Sequence, residues 1–433
     1  MTITLQTGFR ALPLPLAQLS LAAVLQCGQS FRWSVFPLSH NIPNATLPQF
    51  EYRLCLRDRV VCLRQSTDTL FYRAVFPTPA SLSEEIKRSA ETLAWLRDYF
   101  QLDVDLLKLY DEWGELDPVI KRLKGRFEGI RMLRQDPFEC LLSFICSSNN
   151  NISRITKMVK ALCTEFSPAL LSLPSPELEP QERVHAYHPF PPPSVLAKPE
   201  VSITLRKLGF GYRAEFIQRT AQMLVEVHGA AQSSYDTMEP AEKWLLTLRS
   251  LPTAQAREEL LKFVGVGRKV ADCILLMSLD KREVVPVDTH VHQIAVKHYG
   301  MTGSSKTRTN MTPKLYDEVN NKLASIWGEY AGWAHSVLFT SDLKSFSTYG
   351  LLFPSPSESP SRPSEVPLVS SVVLPPTPSP SPSKRKRGQT TRDIETSNDK
   401  VSVLKIEDVP PEELTSLAER VKRRRRTPGR SPL

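Results

Sequence analysis

No Cys-x-x-Cys pair occurs among the seven cysteines, and no histidines stand at zinc-binding spacing from them, so neither a zinc finger nor a dithiol redox centre is encoded. No cysteine follows Cys273, which excludes a four-cysteine iron–sulfur cluster in the C-terminal part of the chain. Cys27, Cys55, Cys62, Cys140, Cys146, Cys163 and Cys273 therefore read as reduced, mostly buried thiols of an intracellular protein. Long hydrophobic runs are also missing. None reaches the ~18 residues that a membrane span needs. Basic residues are scarce at the start, where Arg10 is alone among the first 31 residues, a poor pattern for a transit peptide.

The 433 residues carry a net charge of +9, and five of those nine positive charges lie from Phe346 onward. The body is thus only mildly basic, which suits a face that binds a polyanion without establishing one. The length predicts two or three structural units. From Gln29 to Phe76 the segments FRWSVF, EYRLCLR, VVCLRQ and TLFYRAVF alternate in polarity and predict an antiparallel sheet. Between Ser83 and Lys108, Leu93, Leu96 and Phe100 fall at helical spacing, predicting a linker helix. From Lys121 to Lys344 nearly every segment reads as helix. Asp136, Pro137 and Glu139 form a helix start, with surface insertions expected at Pro168 to Pro199 and Thr302 to Thr312. After Phe346 the Pro/Ser-rich composition, with KRKR at Lys384 to Arg387 and KRRRR at Lys422 to Arg426, predicts a disordered tail. Its basic clusters fit nuclear import, phosphate contact or simple solvation. The expected organisation is α+β: a sheet domain with its linker helix at 1–120, an all-helical domain at 121–345 and the basic tail at 346–433.

The chemistry concentrates near Lys269. AQAREELLKF and RKVADCILLM are helices joined through Gly265, Val266 and Gly267, a helix-hairpin-helix pattern. Glycines at such a turn take positive φ and let a phosphate approach the NH groups opening the second helix. A plain two-glycine helical turn fits the same residues, and noncatalytic DNA binders use the motif too. Lys269 lies in the first turn of the second helix, where the dipole is expected to lower its pKa and free an amine for attack on carbon. Cys273 and Met277 continue its face and could line a pocket. A phosphate contact and an ordinary core stripe are the competing readings. Asp288, in VVPVDTH, is either a helix N-cap or a carboxylate that stabilises a cationic sugar, and one residue can do both.

Taken together, CGQSFRW, FICSSNNNISRIT, LGFGYRA, FVGVGRKVADCILLMSLD, VPVDTHV and YAGWAHSVLF resemble the eukaryotic 8-oxoguanine DNA glycosylase/AP lyases of the helix-hairpin-helix superfamily, over roughly Cys27 to Leu343. The resemblance implies a sheet domain packed on the helical domain, with the active site in a cleft beside the hairpin. It implies that Lys269 attacks C1′ and forms a Schiff base while Asp288 steadies the charged sugar. The Gly28 carbonyl would accept from the N7–H of the lesion, a contact that turns repulsive for guanine. Asn149, Arg154 and Arg213 would read the cytosine left behind, and Tyr212 would fill the gap in the stack. Gly265 and Gly267 would meet the DNA backbone, and His290 would hold a phosphate.

His335 departs from the family pattern, which has Gln there; Phe339, one turn on, is the ring expected to stack on the extruded base. A neutral imidazole has its donor and acceptor on opposite sides of the ring. A single base contact is therefore expected, weakening as His335 protonates near about pH 6.5. The implied activity is excision of 8-oxoguanine and related ring-opened purines opposite cytosine, followed by β-elimination, with no metal or cofactor. A glycosylase for alkylated or other oxidised bases, or a noncatalytic lesion binder, is the alternative. The expected partner is double-stranded DNA containing an oxidised purine. The chain is expected to act as a monomer in the nucleus, with a nuclear-import receptor reading the tail and the mitochondrion as a second location.

Overall fold

The computed structural model describes residues 8–38, 47–176, 183–230, 238–303 and 311–351. Alternating residues place five strands in one antiparallel sheet: β1 Arg10–Pro13, β2 Ser34–Pro37, β3 Phe50–Cys55, β4 Val60–Gln65 and β5 Thr69–Val75, in the order β1-β5-β4-β3-β2. Tyr52, Leu63 and Tyr72 face one another across β3, β4 and β5. That face packs on Leu96, Tyr99 and Phe100 at the end of a long helix. The opposite face is covered as well. A hairpin of β6 Leu171–Pro174 and β7 Val184–Tyr187 lies against Cys55, Val60 and Cys62. Glu51, fully buried, accepts from Arg53 at 2.6 Å and from Arg64 at 2.7 Å, and Arg53 reaches the Pro174 carbonyl at 2.8 Å. The stretch expected as a surface insertion at Pro168 to Pro199 therefore closes the sheet, and the 121–345 region is not purely helical.

The helices are α1 Leu21–Val24, α2 Leu82–Tyr99, α3 Leu106–Leu116, α4 Pro118–Leu123, α5 Pro137–Ile145, α6 Ile152–Phe166, α7 Pro193–Leu196, α8 Glu200–Lys207, α9 Arg213–His228, α10 Pro240–Thr247, α11 Thr253–Leu261, α12 Arg268–Ser278, α13 Thr289–His298, α14 Pro313–Trp327 and α15 Ala331–Asp342. The expected linker helix breaks after Tyr99, with Gln101 at φ +48°, and the domain boundary drawn at 120 falls inside α4. Leu106, Tyr110 and Trp113 of α3 belong to the helical core with Trp327 and Trp333. Asp136 caps α5 as expected, accepting from the Glu139 amide at 2.9 Å. The Glu139 carboxylate instead grips Arg32 through two hydrogen bonds, of 2.9 and 2.6 Å, joining α5 to the segment that leads into β2.

Two apolar clusters make up the helical part, and α12 serves both: Cys273, Ile274 and Leu275 enter one and Leu276 the other. All seven cysteines are free and buried. The tail begins later than 346, because Phe346 is buried and Arg126 donates to the Tyr349 carbonyl at 2.6 Å. The basic clusters at 384–387 and 422–426, and most of the insertion expected at Thr302 to Thr312, lie outside the described residues.

Candidate active site

The hairpin forms between α11 and α12. Gly265 has φ +84°, and a Cβ there would stand 2.5 Å from the Phe216 ring, so both backbone and space require glycine. Gly267 departs from the expected positive φ. It caps α12 at φ −93° and faces open space, leaving the first amides of α12 approachable by an anion. Gly267, Arg268 and Lys269 line a groove of about 790 Å³ together with Asn149, Arg154 and Asp288.

Lys269, partly buried, has its ammonium 5.5 Å from the centre of the Phe144 ring and a hydrogen bond to Cys273. Its pKa lies above the ordinary lysine value, contrary to the lowering expected from the helix dipole. Burial, the largest influence, pushes it down, but the charges of Cys273 and Asp288 and the Cys273 hydrogen bond outweigh it. Burial holds Cys273 itself up at about 11, so its charge acts on Lys269 only in the alkaline range, and at neutral pH Asp288 supplies the opposing charge.

Asp288 is the N-cap of α13, and its Oδ1 accepts from the amides of His290 at 2.9 Å and Val291 at 3.0 Å. Further support comes from residues that the sequence reading passed over. The Val287 amide donates to the Tyr316 hydroxyl at 3.1 Å. That hydroxyl donates to Asp272 at 2.6 Å, and Asp272 accepts from Arg257 at 2.7 Å. Asp272 is fully buried. An aspartate within the apolar run VADCILL was the available signal, since a buried charge needs partners.

Gly28, Cys273, Met277, His335 and Phe339, all expected at the base, line one cavity of about 70 Å³, and Lys269 and Asp288 line this cavity as well as the groove. The cavity is small beside the roughly 300–1,000 Å³ of a ligand pocket, so a base enters only if the walls give. Gly28 has φ +91°, and a Cβ there would press on Ile152 at 2.9 Å. Two glutamines hold this segment. Gln29 accepts from the Leu133 amide at 2.9 Å and donates to the Arg131 carbonyl at 3.1 Å. Gln135 donates its side-chain amide to the Gln29 carbonyl at 2.8 Å and its backbone amide to the Met277 carbonyl at 2.9 Å.

Burial pushes His335 down to about 4, with His290 and Lys269 adding to the effect and Asp288 opposing it. Protonation near pH 6.5, expected from the sequence, therefore does not hold for the folded site. Phe339 lies 5.9 Å from the His335 ring and edge-on to His290 at 5.2 Å. His290 Nε2 stands 3.4 Å from the Asp342 carboxylate.

The four residues expected at the orphaned cytosine meet where the 147–151 and 209–213 loops clasp. Asn149 has φ +49°, and Tyr212 is 47 % exposed with its hydroxyl donating to the Ser148 carbonyl at 3.1 Å. Arg154 donates to the Gly209 carbonyl at 3.2 Å. Arg213 is only 3 % exposed, and its guanidinium donates to the carbonyls of Ser148, Asn149 and Phe210. In this state it shapes the Asn149 turn instead of presenting a free finger.

Residues 11–141 match the N-terminal domain of 8-oxoguanine DNA glycosylase, and residues 142–320 match the HhH-GPD superfamily of base excision DNA repair proteins. The chain is 35% identical to an N-glycosylase/DNA lyase of Saccharomyces cerevisiae, over 77% of this chain and 86% of that one. It is 33% identical to the N-glycosylase/DNA lyase OGG1 of Arabidopsis thaliana, over 83% and 87%. The fold matches the solved 8-oxoguanine glycosylase/lyase of Clostridium acetobutylicum in complex with double-stranded DNA containing cytosine opposite 8-oxoguanine, with a TM-score of 0.56 and 25% identity over 77% of this chain and 95% of that one. With curated relatives matched over more than four-fifths of their length, and with both domains present in order, the chain belongs to the N-glycosylase/DNA lyase family of 8-oxoguanine DNA glycosylases.

Proposed function

We propose that the chain excises 8-oxoguanine opposite cytosine from duplex DNA and then cuts the strand by β-elimination. The observation that carries this reading is the shared position of Lys269 and Asp288, which line both the groove beside the hairpin and the cavity that holds the expected base readers. Once Lys269 has lost its proton, its amine attacks C1′ and the oxidised base departs with the bonding electrons. Ring opening gives the Schiff base, loss of a C2′ proton expels the 3′ phosphate, and hydrolysis returns the amine. Asp288, fixed by two amides, supplies negative charge where the sugar becomes cationic.

The clasp of Asn149, Arg154, Tyr212 and Arg213 supports a role opposite the lesion, with Arg213 exchanging backbone carbonyls for the cytosine edge. His290 serves the phosphate beside the flipped nucleotide once Asp342 yields it. The basic clusters at 384–387 and 422–426 support a nuclear location through an import receptor, with the protein acting as a monomer. Borohydride trapping tests the chemistry: a covalent adduct on an 8-oxoguanine:cytosine duplex is expected, and its absence is expected with Lys269→Gln. An adduct of equal yield in that variant would move the nucleophile elsewhere, and no adduct with any damaged duplex would end the enzymatic reading.

A further inference from the structure

A separate cavity, of about 140 Å³, opens where the sheet meets α6 and the hairpin of β6 and β7. It shares no residue with the groove or with the cavity beside Lys269. Its lining is one-sided in charge: Arg32, Arg53, Lys160, His185 and His188 contribute to it, and among the described residues no aspartate or glutamate does. Arg32 brings Glu139 as its counter-ion, and Arg53 brings Glu51. Lys160 brings none. It is partly buried on α6, and the one hydrogen bond of its ammonium goes to the Ser34 hydroxyl at 3.1 Å. Burial and the nearby Arg32 charge both push its pKa down, as they do for a cation without an anion.

Arg53 adds a second unmet donor. It is only 2 % exposed, with Nε on Glu51 and Nη1 on the Pro174 carbonyl and the Tyr187 hydroxyl, while Nη2 makes no hydrogen bond among the described residues. The Phe36 ring holds this guanidinium at 5.0 Å and meets the His185 ring edge-on at 4.9 Å, so the wall is set by packing. Ser34, Arg53 and Lys160 come from β2, β3 and α6, and their donors suit an anion that accepts on several sides. A tetrahedral phosphate has oxygens in four directions, whereas a carboxylate accepts in one plane.

The volume admits a phosphate group with a few waters, each taking about 30 Å³, and excludes ligands that need a pocket of about 300 Å³ or more. We propose that this cavity binds a phosphate group, as the free ion or as the end of a small phosphomonoester, through Lys160, Arg53 and the Ser34 hydroxyl. The bound anion braces the sheet against α6. That helix starts at Ile152, which closes the space at Gly28, and it carries Arg154 to the groove.

The test is calorimetric titration of the full chain with inorganic phosphate, and separately with ribose 5-phosphate, at constant ionic strength. One site per chain is expected, abolished by Lys160→Met and weakened about tenfold by Ser34→Ala. The tighter of the two ligands identifies the source. Lys157→Met removes an exposed lysine of α6 that lies outside the cavity, and it is expected to bind as wild type does. Melting gives a second readout. Phosphate stabilises most proteins by exclusion from their surface, so the quantity measured is the excess rise in Tm of wild type over Lys160→Met, about 3 °C at about ten times the dissociation constant. The proposal is overturned if neither ligand binds saturably, if Lys160→Met binds as tightly as wild type, or if Lys157→Met loses binding equally, the mark of general surface attraction. It is also overturned if excess undamaged duplex displaces the phosphate, because the cavity then belongs to the DNA track. None of these readouts requires base excision, so the result stands apart from the glycosylase reading.

Discussion

An imidazole that stays neutral down to about pH 4 makes lesion affinity indifferent to mild acid. Binding of an 8-oxoguanine duplex, measured with the catalytically silent Lys269→Gln chain, is expected to change no more for His335 than for His335→Gln between pH 5.5 and 7.5, once salt is matched. A wild-type loss absent from His335→Gln would show that the ring titrates where the sequence alone had placed it. The same residue makes folding acid-sensitive. The unfolded imidazole takes a proton below 6.5 and the folded one only near 4, so stability is full above 6.5 and declines as pH falls between those values, by on the order of 3 kcal/mol. Lys269 works in the opposite sense. With its pKa raised, the amine fraction grows through the alkaline range, so single-turnover excision is expected to increase from pH 7 to 9. Asp288→Asn removes the charge that holds the proton. Its pH–rate curve should shift toward lower pH while its plateau falls roughly 10²–10³-fold, and a fall without the shift would deny Asp288 its effect on the lysine. Lys269 and Asp288 were legible because their signals are local: a helix start after two glycines, and an N-cap. The burial that reverses the expectation for His335 comes from cavity walls contributed by several separate elements, and the expectation for Lys269 is reversed because Cys273 and Asp288 outweigh its burial.

At the scale of elements, alternation exposed β2 to β5, whose residues must serve two faces of a sheet. β1, β6 and β7 are each four residues long, too short for a period to register, and β2, equally short, stood out only through the longer aromatic run FRWSVF around it. The second buried face of the sheet was hidden for the same reason, since its cover comes from β6 and β7. The hairpin and α13 were readable, but the contact that orders them is not written in either. Tyr316 of α14 joins Asp272 of α12 to the Val287 amide just before α13. Tyr316→Phe leaves a buried carboxylate oxygen and a buried amide with one partner fewer, a loss of about 1–3 kcal/mol. If the link positions Asp288, the excision rate should fall several-fold while affinity for undamaged duplex stays near wild type. Lost stability with an unchanged rate at 25 °C would reduce Tyr316 to a packing residue.

For the whole molecule, the question is how a sheet and a helical core present one site, because the cavity takes Gly28 and its neighbours from the segment between α1 and β2, Met132 and Phe144 from the stretch before α5 and from α5 itself, and the rest from α12 to α15. Gln29 and Gln135 lock that segment locally, while Arg32 and Glu139 tie the following residues to α5 with both groups nearly withdrawn from water. A shielded pair of this kind adds little when intact, since desolvation offsets attraction, but losing one partner strands the other. Glu139→Ala is therefore expected to cost about 3–5 kcal/mol by denaturant unfolding. Arg32→Met combined with Glu139→Ala should recover a large part of that loss, because no charge is then left buried. The catalytic consequence separates fastening from mere stability. If the pair holds the Gly28 segment against α12, the stable double variant should still bind duplex DNA through the hairpin, yet distinguish 8-oxoguanine from guanine less sharply than wild type. A double variant with full discrimination would place the whole burden of alignment on Gln29 and Gln135, which stand three and four residues before the two members of the ion pair.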